Sequence, residues 1–471
     1  MLFNTIEFGI FFLAVLSLYF VLPHRGQNLM LLGASYLFYG AWDYRFLSLI
    51  LISTTVDFVV GQMLHKSEDD RRRKVILFWS IFINLGFLGF FKYCNFFAEN
   101  LQGLLATFGV QVRPSTLSII LPVGISFYTF QSMSYTIDIY RRQLKPCTRF
   151  FDFMLYVAFF PQLVAGPIER AQHLLRQVTT PRKVRKEHFT EGFHLIMWGL
   201  FKKMVIADNM ALIADPIFNQ SGDFSAGQVF VGALAFAFQI YGDFSGYTDI
   251  ARGVARTMGF ELMLNFNLPY FATSPQDFWR RWHISLSTWL RDYLYIPLGG
   301  SKKGEVRTYI NLMLTMVLGG LWHGASWTFV IWGFYHGALL CVHRLIQKSL
   351  PVPSFSPAGE FVWRWTRIAF MFGLTLYGWL IFRAASFEQL MAMTKALFAF
   401  QLSPETVGLV VKILFYCGLL LLVQLYQHAR NNLEAVRESP VLLQTSFYLV
   451  CFYLIAIFGV FDAQSFIYFQ F

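Results

Sequence analysis

Long apolar runs, separated by short and often basic polar segments, recur along the whole chain. A bilayer crossing needs about 20 mostly apolar residues, and fewer where the helix is broken. Runs of that kind fall near residues 6–22, 29–41, 45–63, 75–92, 117–138, 192–214, 228–248, 308–320, 326–343, 364–382, 407–426 and 442–460. They predict an all-α integral membrane protein of about 11–12 transmembrane helices. These form one polytopic domain over residues 1–471, without a soluble appendage and without the internal repeat of an inverted-topology transporter. The first run has no positively charged leader and passes straight into further spans, so it reads as retained rather than cleaved. Two stretches break the alternation. Phe150–Gly166 is apolar but lies between two basic loops and contains Pro161 and Gly166. With both flanks on one side it cannot cross, so a re-entrant hairpin covered by protein is expected. Asp249–Arg307, aromatic, charged and punctuated by prolines, is too polar to span and is expected to fold at the membrane face.

Composition narrows the class. Of 471 residues 56% are hydrophobic and only 14% charged, against roughly 25% charged in an ordinary soluble domain. The mean hydropathy is +0.49. A soluble fold buries at most about three quarters of its surface, which leaves too much apolar area in water here. A soluble enzyme, a disordered chain and a nucleic-acid-binding protein are excluded. The net charge of +11 therefore takes a membrane reading. Basic loops at 65–74, 141–149, 170–186 and 280–307 should face the cytoplasm, which by parity places the N-terminus outside. The five cysteines are far apart, with no CxxC pattern. They read as small core residues, and no metal site is expected on them.

Ionisable groups inside apolar runs are costly and usually functional. His24, His65, His173, His188 and His428 sit in loops or at span ends and read as solvated or headgroup residues; His194 reads as helix packing and His343 as interfacial. Three histidines remain. His323 lies in NLMLTMVLGGLWHGASWTFVIWG (311–333), flanked by Gly319, Gly320 and Gly324. It is either a packing histidine bonded to a neighbouring helix or a neutral general base held by desolvation. His336 follows 13 residues later, toward the end of the helix that starts at Trp327. His283 belongs to DFWRRWHISLSTWLRDYLYIPLGG (277–300), read as four continuous helical turns with Phe278, Trp282, Ser285 and Trp289 on one face. The plain reading is an interfacial amphipathic helix. The alternative is a pocket for an anionic, adenine-bearing ligand, with arginines for phosphates and aromatics for the ring. Asp243 and Asp249 end an apolar run and are expected to form structural ion pairs with arginines such as Arg252 and Arg256. No dinucleotide-binding, Walker, HExxH or GxSxG motif is present.

Several long motifs then occur in one order: NLMLLGASYLFYGAW (28–42), LPVGISFYTFQSMSYTIDIYR (121–141), FFPQLVAGPIER (159–170), YGDFSGYTDIARG (241–253), NFNLPYFATSPQDFWRRWHISLSTWLRDYLYIPLGG (265–300), LGGLWHGASWTFVIWGFYHG (318–337), GWLIFRAASF (378–387) and the terminal FIYFQF (466–471). Through them the chain resembles, over nearly its full length, the membrane-bound O-acyltransferases, and within them the bacterial alginate O-acetyltransferase type. The resemblance implies a ring of spans around a thin central funnel. It implies His323, in LWHG, as the catalytic residue and His283, in FWRRWHISLS, as the second. It also makes Arg280, Arg281, Trp282, Lys302 and Trp322 candidates for substrate or CoA binding, with no metal and no bound cofactor. It implies acetyl-CoA as the cytoplasmic acyl donor, and periplasmic partner proteins that pass the acetyl group to an exopolysaccharide, of alginate or cellulose type, from the bacterial inner membrane. D-Alanyl transfer to a cell-wall polymer from a carrier-protein thioester, a transporter, and a scaffold for polysaccharide secretion are the competing readings. No serine or cysteine stands out as a nucleophile, which favours direct transfer.

Overall fold

The computed structural model describes residues 1–111, 117, 119–220, 222–349, 355–399, 403–461 and 466–467. Of the terminal motif, residues 468–471 lie outside these. Among the described residues all regular structure is helical. Two compact units are formed, one from Met1–Phe193 with Ala251–Met263, the other from His194–Ile250 with Leu264–Phe471.

The first unit opens with α1 (Ile6–Val21), α2 (His24–Asp43), α3 (Leu47–Lys66), α4 (Asp70–Leu88), α5 (Cys94–Thr107) and α6 (Ile125–Tyr140). The apolar run near 117–138 becomes helical only at Ile125. Gly124 precedes it at φ +76°, where an added Cβ would stand 2.7 Å from the carbonyl oxygen of Leu163, so the chain enters α6 through a turn that only glycine fits easily. The basic run 65–74 is not a loop: Asp69 caps α4 by accepting from the Arg71 and Arg72 amides, and Asp70–Lys74 are its first turns. Arg73 is buried and donates to the carbonyls of Leu64, Ser67, Ile139 and Tyr140, satisfying the orphaned ends of α3 and α6. Between these helices Asp57 is fully buried. Its carboxylate accepts from Ser80 Oγ at 2.6 Å and from Asn84 Nδ2 at 2.9 Å, the partners a buried charge in an apolar layer requires.

The expected re-entrant segment forms two short helices, α7 (Phe150–Ala158) and α8 (Phe160–Leu163), broken at Phe159. Residues 152–169 are buried throughout. The freed amide of Phe160 donates to Ser35 Oγ at 3.0 Å, so irregular backbone is satisfied by protein, as an apolar surround demands. A further short helix, α9 (Arg176–Thr179), completes this unit's connecting segments.

The remaining helices are α10 (Lys186–Leu200), α11 (Asp208–Asn219), α12 (Ala226–Thr257), α13 (Pro275–Arg281), α14 (Ile284–Leu290), α15 (Glu305–His323), α16 (Trp327–Ser349), α17 (Pro357–Arg383), α18 (Phe387–Leu397), α19 (Pro404–Arg430) and α20 (Val441–Phe458). Among the described residues, seven helical segments are long and apolar enough to cross a membrane. One of them, His24–Lys66, holds two of the apolar runs, separated by a 3₁₀ turn at Tyr44–Phe46. The other four runs are helices too, but shorter or more polar: α1, α6, α15 and the α10–α11 segment with its buried Lys202, Lys203 and Asp208.

Candidate active site

The stretch 277–300 is not one helix. Ser274 caps α13 by accepting from the Asp277 amide at 3.2 Å, and the Asp277 carboxylate reaches back to the Thr273 amide at 3.0 Å, a reciprocal cap. The helix ends seven residues on, and His283 adopts φ 44°, ψ 54°. Outside glycine this left-handed conformation is disfavoured and needs surrounding structure to hold it. Asn265 supplies that structure. Its carbonyl accepts from the Ile284 amide at 3.0 Å, and its side-chain oxygen accepts from Ser285 Oγ at 2.6 Å and the Ser285 amide at 3.3 Å. A further bond runs from the Asn267 amide to the Arg281 carbonyl at 3.0 Å. The extended segment 265–267 thus clamps the turn on both sides of the histidine. Neither hydrophobic periodicity nor residue type points to this role for Asn265; the only signal is its place in the NFNLPYF motif.

His323 is the last residue of α15. Gly324 follows in extended conformation, and a Cβ there would sit 2.1 Å from the Phe329 ring. Gly320 and Gly333 let α15 and α16 touch: a Cβ on Gly320 would lie 2.2 Å from the Phe329 carbonyl oxygen, and one on Gly333 2.4 Å from that of Met316. Small residues at such crossings are the usual device for close approach of apolar helices.

Clamp and crossing bring the two histidines together. Their ring centroids are 6.4 Å apart at 70°, although 40 residues separate them. Both are buried, His283 at 0% and His323 at 4% exposure. The walls are aromatic. Phe244 of α12 lies 4.7 Å from His283, Trp332 and Phe382 lie 5.1 and 5.5 Å from His323, and Trp322 touches both imidazoles at 6.0 and 5.1 Å. Burial pushes the His283 imidazole down to about 3, so it stays neutral and can donate from one nitrogen and accept on the other. His336, in the middle of α16 rather than near its end, stacks on Phe278 at 5.8 Å and packs against Trp332.

Other site candidates separate. Trp282 is fully buried, with Trp379 at 4.7 Å and Phe278 and Tyr270 stacked beside it; its faces are occupied by protein rings, so it supports the site rather than stacking on a ligand. The segment is accordingly two short helices joined at a tight turn rather than one continuous amphipathic helix. Arg281 is held by Asp277 at 2.8 Å, whereas Arg280 and Lys302 are exposed. Asp243 and Asp249 do form ion pairs, and lysines are among their partners. Asp249 binds Lys202 at 2.5 Å, and Asp243 binds Lys203 at 2.9 Å, which also holds Asp208 at 2.8 Å. Arg256 pairs with Glu191 instead. The lysine pairs have a geometric origin. Gly199, Gly242 and Gly246 let the segment carrying the lysines lie against α12, which brings Lys202 and Lys203 alongside the two aspartates. Among the described residues no three His, Cys, Asp or Glu side chains converge as a metal site would require.

The pattern of the membrane-bound O-acyltransferase family matches residues 146–391, which include both histidines. Relatives named for acyl transfer align over much of the chain. The probable alginate O-acetylase AlgI of Azotobacter vinelandii is 43% identical over 404 residues, 85% of this chain and 78% of its own. The peptidoglycan O-acetyltransferase of Helicobacter pylori is 36% identical over 429 residues, 84% and 80% of the two chains. The teichoic acid D-alanyltransferase of Bacillus subtilis is 27% identical over 282 residues, 56% and 69%. The fold and these likenesses define a multi-pass membrane enzyme that transfers acyl groups. The chain belongs to the membrane-bound O-acyltransferase family.

Proposed function

We propose that this enzyme takes an acetyl group from acetyl-CoA at the cytoplasmic side of the inner membrane and passes it to a hydroxyl group, for O-acetylation of an exopolysaccharide through periplasmic partner proteins. The observation that carries the reading is the pair of buried, neighbouring imidazoles walled by aromatics. His323 accepts the acceptor's hydroxyl proton as that oxygen attacks the thioester carbonyl. A tetrahedral oxyanion forms, and the neutral His283 donates a hydrogen bond to it. The C–S bond then breaks, and the sulfur leaves as the thiol, taking the proton from His323. Excluding water protects the thioester from hydrolysis and strengthens both hydrogen bonds. Exposed Arg280 and Lys302 are the groups left for the donor's phosphates.

Among acceptors, an alginate-type polymer comes first, because the alginate O-acetylase shares more identity over more of the chain than the peptidoglycan enzyme or the D-alanyltransferase. A cellulose-type polymer is the alternative exopolysaccharide. The test is purified protein in nanodiscs with radiolabelled acetyl-CoA, comparing wild type, His323→Ala and His283→Ala for thiol release and label transfer. His323→Ala should lose roughly 10²–10⁴-fold in rate while remaining folded. Equal rates for wild type and His323→Ala would remove the histidine from the chemistry. Turnover with a D-alanyl carrier protein but not with acetyl-CoA would move the donor to the second class.

A further inference from the structure

The first unit has a cavity of its own. The loop after α6 and the segment around α9 border this open-mouthed cavity of about 680 Å³. Three cations line it, Lys145, Arg149 and Arg176, together with Asp152, Gln172 and Thr179. Its wall is held in place from the core. Gln62 Nε2 donates to the Cys147 carbonyl at 2.7 Å, the Cys147 amide donates to the Tyr135 hydroxyl at 3.0 Å, and Asn28 Nδ2 donates to Asp152 Oδ1 at 2.9 Å.

Asp152 is the informative residue. It is 6% exposed, and its second oxygen, Oδ2, has no hydrogen bond. The nearest cation, Arg149, stands off at 3.9 Å. A buried acceptor left unbonded carries a full desolvation penalty, which a donor entering the cavity would remove. The three cations favour phosphate, which arginine binds through paired N–H groups. A carboxylate at the wall accepts only and repels a bare anion, so a ligand with a hydrogen-bond donor beside its phosphate fits, and an amine nitrogen supplies one.

We propose that this cavity binds a phosphate-bearing ligand, with the phosphate among Lys145, Arg149 and Arg176 and a neighbouring nitrogen donating to the Asp152 carboxylate. Two sources have this chemistry, the headgroup of an ethanolamine phospholipid and an adenine nucleotide. The inference rests on the cavity alone, and its readout is binding, so it stands apart from acetyl transfer.

The test uses the full chain. One arm measures retention of phosphatidylethanolamine, against phosphatidylcholine, by native mass spectrometry. The other measures adenosine 3′,5′-bisphosphate by calorimetry in phosphatidylcholine nanodiscs. The variants are Arg149→Gln with Arg176→Gln, Thr179→Trp to fill the mouth, and Asp152→Asn. The first two alter exposed side chains, so melting temperature should be unchanged while the bound probe weakens by about tenfold or more. Asp152→Asn weakens an ammonium headgroup about tenfold but an adenine amino group less, because Asn keeps an acceptor oxygen; this separates the sources. Phosphatidylcholine, whose trimethylated nitrogen donates nothing, should bind poorly. If neither probe binds the wild type, or if binding is indifferent to both the arginine pair and Thr179→Trp, the cavity holds no such ligand.

Discussion

Gly319 and Gly320 are neighbours on α15, yet they should respond oppositely to alanine. A Cβ on Gly320 would stand 2.2 Å from the Phe329 carbonyl oxygen and 3.0 Å from the Gly333 backbone, where contacts below 3.0 Å essentially never occur. The obstacle is backbone, which no rotamer change can clear, so α15 and α16 must part by about 0.8 Å at the crossing. On Gly319 the only close atom is Leu290 Cδ1 at 3.0 Å, the end of a flexible side chain. Both substitutions gain up to about 1 kcal/mol of helix propensity, but only Gly320→Ala incurs about 1–3 kcal/mol of overpacking. Stability alone therefore separates them little. Position separates them more, because His323 is three residues further along the same helix and faces His283. A misplacement approaching 1 Å can cost about 10²-fold in rate. The assay is acetyl transfer per mole of monodisperse protein, with melting temperature recorded alongside. Gly319→Ala should stay within about twofold of wild type, and Gly320→Ala should fall by about two orders of magnitude. Equal rates for the two would refute the claim that the α15–α16 crossing sets the histidine geometry.

Asn265→Ala removes the acceptor for two buried Ser285 donors and should cost about 2–4 kcal/mol and lower kcat more than KM changes; Asn265→Asp, which keeps the acceptor, should restore part of kcat, and a variant with wild-type kcat would refute the clamp. Because burial holds His283 neutral down to about pH 3 while an unfolded histidine protonates near 6.5, its share of stability is present above about pH 6.5. That share is lost on acidification at about 1.4 kcal/mol per pH unit. Melting curves from pH 7 to 5 should therefore fall less steeply for His283→Phe than for wild type, and parallel curves would contradict this. Lys203→Met leaves Asp208 and Asp243 without their shared cation and should destabilise by about 3–5 kcal/mol. Adding Asp243→Asn and Asp208→Asn should recover most of that loss in thermal unfolding.

The class of protein and the places to look were legible in the residues alone. Hydropathy is a local sum, so each apolar run became a helix, and the run at 150–166 was recognisable as irregular from its prolines and basic flanks. His323 stood out because an imidazole amid apolar residues and glycines is costly wherever it lies, and the motif order carried the family. Tertiary structure decided what depends on two segments meeting. The break at His283 was hidden because the residues around it keep helical spacing; only the Asn265 clamp, reaching from 18 residues upstream, forces the left-handed turn. Lys202 and Lys203 become partners of Asp249 and Asp243 only through the glycine-mediated crossing with α12, which spacing along the chain does not show. The 6.4 Å approach of two histidines 40 residues apart has the same origin: periodicity along one helix specifies a face, but which residue opposes that face is settled by the packing of another helix against it.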